Sequence, residues 1–255
     1  NCGITSLSLD QSTFTCADVG TNTVILTATD ASGNSATATA IVTVEDSTAP
    51  IVSTQNVTVS LDASGNASIT TTLIDNGSTD NCGIASLAVT PNTFTCTDAG
   101  TNTVTLTATD GSGNSASQTA IVTVEDSTAP IVSTQNVTVA LDAAGNASIT
   151  TALIDNGSTD NCGIISLTLD QTTFTCADAG TNTVTLTATD AAGNSASQTA
   201  IVTVEDSTAP IVSTQNVTVS LDAAGNASIT TALIDNGSTD NCGITSLTLD
   251  QTTFT

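Results

Sequence analysis

The chain repeats itself every 80 residues: Ile41 to Asp80 returns almost letter for letter as Ile121 to Asp160 and again as Ile201 to Asp240. The hexapeptide TDNCGI marks the same period at Thr79, Thr159 and Thr239. Self-similarity at a fixed period describes an array of domains, each burying a small core of its own. The sequence starts and stops inside a repeat, so the expectation is a window from something longer.

Within each period, apolar residues alternate with Thr and Ser, the signature of half-buried strands. NVTVSLD sets Val57, Val59 and Leu61 on one face, and NASITTTL does so with Ala67, Ile69, Thr71 and Leu73. TVTLTATD aligns Val104, Leu106 and Ala108, and TAIVTVE ends the unit with Ala120, Val122 and Val124 facing inward. No stretch sustains a helical period. About seven short strands per repeat predict an all-β fold, a tandem array of immunoglobulin-like antiparallel β-sandwich domains. One Phe per unit (Phe14, Phe94, Phe174, Phe254) is the expected core plug. The D-x-x-G-N stretches at Asp62 and Asp110 read as hairpin turns, in which Asp caps its own backbone and Gly accepts positive φ. A calcium loop is the alternative, although the length and closing Glu of an EF-hand are missing.

The boundary is expected at VEDSTAPIV, where a strand ends at Glu45 and Asp46 and another starts beyond Pro50, whose missing N–H suits a strand start. That division gives complete domains at 46–125 and 126–205 and parts of domains at 1–45 and 206–255. A linker of a few residues is too short for free tumbling, so neighbours are expected end to end, as a rod.

Composition narrows the chemistry. There are 24 acidic side chains and no Lys, Arg or His. Histidine-dependent nucleophilic triads, the usual zinc sites and lysine Schiff bases are therefore excluded. Nothing can neutralise phosphate, so nucleic acid and anionic membrane surfaces are repelled and cations are the natural small partners. Charged residues are only 9% of the chain, which leaves enough apolar residues for a core despite the net charge. No run reaches the length of a membrane span, and no signal peptide is visible.

Cysteines stand at positions 2, 16, 82, 96, 162, 176 and 242. The C-x13-C spacing within each repeat predicts one structural disulfide per domain: Cys2–Cys16, Cys82–Cys96 and Cys162–Cys176, with the partner of Cys242 beyond the chain end. A metal or redox role is the alternative. Disulfides of this kind indicate an oxidising compartment.

The linker VEDSTAPIV, the strand and turn GTNTVTLTATDGSGNSA and the loop DNGSTDNCGI together resemble hyalin-repeat (HYR-like) domains over the whole chain. The paired cysteines and the STQNVTV opening are similar to repeats of very large surface adhesins of the Bacteroidota, of the gliding-motility kind. The resemblance implies secretion to the cell surface by the type IX route, a filament, and adhesion. It also implies O-glycosylation of the DST motif at Ser47, Ser127 and Ser207, for which a plain polar linker is the alternative.

In a sandwich of this type the loop after the second strand and the turn between the last two strands lie where the chain comes in. Asp75, Asp80 and Asp110 should then flank Glu45 and Asp46, with Asp18 added by the preceding domain. The next copy of the set is Glu125, Asp126, Asp155, Asp160 and Asp190. Hard oxygen ligands without a protein cation suit calcium, which would stiffen the joint. Acids that only face solvent and cap loops are the other reading.

The function expected is a structural stalk segment of a cell-surface adhesin filament, not an enzyme. Its partners are neighbouring repeats of the same chain, surface polysaccharide and other filament chains. The runner-up is an array of weak polysaccharide-binding modules acting by avidity, which the absence of Trp and Tyr disfavours. Ice binding by the ladder Thr103, Thr105, Thr107 and Thr109 and glycoside hydrolysis by carboxylate pairs rank lower.

Overall fold

The computed structural model describes residues 3–254. The chain divides into two compact units, Asn1–Asp126 and Ser127–Thr255. In the first, β1 (Ile4–Leu9), β2 (Gly20–Asp30) and β3 (Ser35–Val44) form an antiparallel sheet in the order β1-β2-β3. There follow β4 (Val57–Ser60), β5 (Asn66–Ser68), α1 (Thr71–Ile74), β6 (Ile84–Thr90), β7 (Thr93–Thr95), β8 (Gly100–Asp110) and β9 (Ser115–Glu125). These strands make a four-stranded sheet, β4-β9-β8-β6, and a two-stranded sheet, β5-β7.

The alternation in the sequence decides what lies between the two sheets. Val104, Leu106, Ala108, Ala120, Val122 and Val124 line one face of β8 and β9, all at most 4% exposed. Phe94 on β7 closes the core from the other side at 2% exposure, opposite Ala67 of β5. The result is an immunoglobulin-like β-sandwich with the expected Phe at its centre.

Two expectations need correction. The sandwich is not wholly antiparallel, because β4 runs parallel to β9 with Val57 opposite Val122. Both strands start from the end where the chain comes in, β4 from the linker and β9 from the β8–β9 turn, so they run in one direction. The second expected strand stops early: after β5 the chain makes the helical turn α1, closed by the Asp75 N–H donating to the Thr71 carbonyl at 2.8 Å. Ile74 is therefore fully buried, whereas Leu73 is 43% exposed.

The D-x-x-G-N segments share a geometry but not a role. The Asp110 turn joins paired strands β8 and β9, a true hairpin. The Asp62 turn connects β4 to β5, which belong to different sheets.

The second unit repeats the plan with β10 (Val137–Ala140), β11 (Asn146–Ser148), α2 (Thr151–Ile154), β12 (Ile164–Leu169), β13 (Thr173–Thr175), β14 (Gly180–Asp190) and β15 (Ser195–Glu205). Its core joins Leu141, Ile149, Ile154, Phe174, Leu186 and Val202, with Cys176 and Cys242 packed against it. Beyond residue 205 only β16 (Ala227–Ser228), α3 (Thr231–Ile234) and β17 (Thr253–Phe254) form among the described residues. At the other end of the chain, β1–β3 has no two-stranded partner sheet among the described residues. Ile4, Leu7 and Leu9, on a strand equivalent to β6, are consequently 65%, 63% and 49% exposed.

Candidate functional site

Three carboxylates meet where the second repeat begins. Asp46 lies in the linker after β3, Asp80 in the loop between α1 and β6, and Asp110 at the end of β8; ligand oxygens from all three lie within 4.8 Å of one another. Local hydrogen bonding holds each in place. Asp46 Oδ1 accepts from the Thr48 N–H at 3.1 Å and from Asn81 Nδ2 at 3.2 Å. Asp80 Oδ2 accepts from the Cys82 N–H at 2.8 Å. Asp110 accepts from the N–H groups of Ser112 (2.9 Å) and Asn114 (2.8 Å), and from Asn114 Nδ2 (2.8 Å). The same Asn114 amide donates to the Asp46 carbonyl at 2.9 Å, tying the hairpin to the linker.

Asp30 shows what the cluster adds to the turn. It makes the same turn bonds, with Ser32 N–H at 2.8 Å and Asn34 N–H at 2.9 Å, yet stays half-buried. Asp110 is only 3% exposed, because the linker and the Asp80 loop close over it. Burial works to raise the Asp110 carboxyl, and the hydrogen bonds from Asn114, Ser112 and Gly113 outweigh it, leaving it below the ordinary carboxylate range. Two oxygens of the cluster remain without a donor: Asp46 Oδ2 and Asp80 Oδ1 are buried and accept no hydrogen bond. Buried polar atoms are seldom left so.

The other expected ligands stand apart. Asp75 turns to Ser78, whose hydroxyl and N–H (3.0 Å) both donate to it, and the hydroxyl is the main reason its carboxyl is held low. Asp155 does the same with Ser158. Glu45 and Glu125 are exposed and outside the cluster. Asp18 caps its own turn, accepting from the Thr15 N–H at 2.8 Å, which holds it low and keeps it from joining the joint. One period on, Asp126, Asp160 and Asp190 take the sequence positions of Asp46, Asp80 and Asp110. Asp160 again accepts from the Cys162 N–H at 2.8 Å, and Asp190 is 1% exposed, with Asn194 bonds outweighing the effect of burial on its carboxyl. Ser47, Ser127 and Ser207 are all exposed.

The cysteines pair differently from expectation. Cys16 is bonded to Cys82 and Cys176 to Cys242, each across 66 residues of sequence. The pairs Cys2–Cys16, Cys82–Cys96 and Cys162–Cys176 are therefore overturned, because Cys16, Cys82 and Cys176 are taken by other partners; Cys2 itself lies outside the described residues. The topology gives the reason. Cys82 sits just before β6, near the Ile84–Asp110 pair, whereas Cys96 follows β7 beside Gly100, which pairs with Val124 at the opposite end of the sheet. A seven-residue strand separates them by about 20 Å, and a cystine needs Cα atoms within about 7 Å. The half-cystine at the outgoing end of one repeat instead meets the one at the incoming end of the next, with Cα atoms 5.2 Å apart for Cys16–Cys82. In the second unit Asn241 Nδ2 also donates across this joint to the Asp142 carbonyl at 3.1 Å. Gly145 lies against it: a Cβ there would stand 2.6 Å from Cys176 Sγ and 2.9 Å from the Asn241 carbonyl oxygen. The C-x13-C spacing carried the wrong signal; the 66-residue spacing across the repeat boundary carried the right one. Stable cystines indicate an oxidising environment.

No family model matches the chain. Hyalin of Strongylocentrotus purpuratus is 31% identical over 243 residues, 89% of this chain; the chain spans 20% of hyalin's length. Among solved structures, the protocadherin gamma B7 extracellular cadherin domains 1–4 cover 80% of this chain and 64% of their own at 14% identity and a TM-score of 0.34. Mouse cadherin-23 EC22–24 covers 76% and 78% at 16% identity and a TM-score of 0.33. No helix among the described residues is long and apolar enough to cross a membrane.

Proposed function

We propose that this chain is a stalk segment of a long extracellular adhesin filament, built of immunoglobulin-like repeats at 46–125 and 126–205 with parts of repeats at 1–45 and 206–255. The observation that carries the reading is the bonding of one repeat to the next at Cys16–Cys82 and at Cys176–Cys242. A covalent tie between successive repeats limits their relative motion, which a spacer needs and an independent binding module does not. Near-identity of the copies supports the same view. The resemblance to Bacteroidota gliding-motility adhesins of the SprB type supports surface display through type IX secretion and O-glycosylation of Ser47, Ser127 and Ser207.

Calcium completes the joint in this reading. The donor set fits, since Asp46 Oδ2 and Asp80 Oδ1 are buried oxygens without a hydrogen-bond donor, in a chain that has no cationic side chain. Calcium takes oxygen ligands of this kind and would neutralise their mutual repulsion. Asp46, Asp80 and Asp110 would hold it, with Asn81 and Asn114 steadying the carboxylates.

Small-angle scattering of the oxidised chain tests both parts. An elongated particle in calcium that loosens on adding EDTA is the expected result. Indifference of both particle length and melting temperature to EDTA rejects the ion, and a random-coil profile in calcium rejects the stalk.

A further inference from the structure

We propose that the cystines shunt mechanical tension past the segments they enclose, so that the chain is a tether of capped extension. Under tension the covalent path leaves the backbone at Cys16, crosses to Cys82, and bypasses β2, β3, the linker, β4, β5 and α1. The same bypass begins at Cys176 and rejoins the chain at Cys242.

From Cys82 the load enters β6. β6 is antiparallel to β8 from Ser86–Thr109 to Thr90–Thr105, and ladder bonds lie perpendicular to the strands, so a pull along β6 shears them together. Asp46 in the linker lies inside the bypassed segment and bears no tension. This inference rests on the pairing of the cysteines and holds whether or not calcium binds or the filament adheres.

The prediction is a length. Between residues 1 and 255, the Cys16–Cys82 and Cys176–Cys242 bridges leave about 122 residues in the loaded path, or about 450 Å at full extension. A chain without bridges extends to about 910 Å.

Single-molecule force spectroscopy on the full 255-residue chain, held at its two ends and with Cys2→Ser, Cys96→Ser and Cys162→Ser so that Cys16, Cys82, Cys176 and Cys242 are its only cysteines, reads the value directly. The expected contour is about 450 Å, rising to about 910 Å once a dithiol has delivered two electrons and two protons to each cystine. A contour near 910 Å in the oxidised chain overturns the shunt.

Discussion

Replacing Asp80 and its counterpart Asp160 by Asn should stabilise the chain without calcium and abolish its response to calcium. Asp80 Oδ2 accepts from the Cys82 N–H, a bond an amide oxygen can keep, while Oδ1 has no donor and shares the cluster with Asp46 Oδ2. Asn would place an N–H₂ where Oδ1 now is, giving Asp46 a donor and removing one charge. With the oxygens within 4.8 Å, the bare Asp46–Asp80 repulsion is about 3.5 kcal/mol at an effective dielectric near 20. Relief of even part of it, at about 4–8 °C per kcal/mol for a domain of this size, raises the melting temperature in EDTA by about 5–15 °C. The response to calcium moves the other way. A site filled at 100 times its Kd contributes about 2.7 kcal/mol, which is about 10–20 °C in the parent chain and under about 3 °C in Asp80→Asn/Asp160→Asn. Differential scanning calorimetry of the oxidised proteins, with EDTA and with calcium, measures both. A variant that melts below the parent in EDTA, or keeps the parent's calcium increment, refutes the reasoning.

Phe174→Ala should cost about 3–5 kcal/mol, because its ring is 1% exposed at the centre of the sandwich, whereas Phe254→Ala, 37% exposed, should cost much less; denaturant titration compares them. Gly145→Ala should weaken the Cys176–Cys242 joint, since the added methyl would press on a sulfur and a backbone carbonyl at a φ of +74°. Faster reduction of that cystine than of Cys16–Cys82, followed by thiol labelling, is the expected result. Acid should destabilise the chain. Asp75, Asp110, Asp155, Asp190 and Asp235 all have folded carboxyls below their unfolded value, so the unfolded chain binds more protons. Their contribution is complete above the unfolded value near pH 4 and is lost as pH falls through the folded ones. Ser78→Ala with Ser158→Ala and Ser238→Ala should flatten this loss in a circular-dichroism titration, because those hydroxyls are the main reason Asp75, Asp155 and Asp235 are held low.

Much of the fold was legible because alternation is a local property. Val104, Leu106 and Ala108 face inward for the reason their spacing implies, and Phe94 fills the core as a single large residue per repeat should. The stretch after Ile69 misled because Thr-rich sequence satisfies a strand pattern and a helical turn equally well, and the Asp75–Thr71 bond that selects the turn is not visible in composition. At the site, the loops expected at the incoming end did bring Asp80 and Asp110 to Asp46. Asp75 was lost to a local partner three residues away, and Asp18 likewise. Sequence spacing alone treats such acids as free, whereas hydrogen bonds within their own turns have already claimed them. The cysteines failed for a different reason. Proximity in sequence is not proximity in space here, because a whole strand lies between Cys82 and Cys96. The sulfur that meets Cys82 belongs to the preceding repeat.

The pairing of those cysteines is the centre of the account, and a non-reducing digest tests it. Trypsin has no site in a chain without Lys or Arg, so cleavage before Asp is the practical choice. It places Cys162, Cys176 and Cys242 on separate peptides, beginning at Asp160, Asp170 and Asp240. Mass spectrometry should find the Asp170 peptide joined to the Asp240 peptide, and the Asp10 peptide carrying Cys16 joined to the one that begins at Asp80. An Asp170 peptide joined to the Asp160 peptide would put the cystine back inside the repeat and contradict the covalent joint.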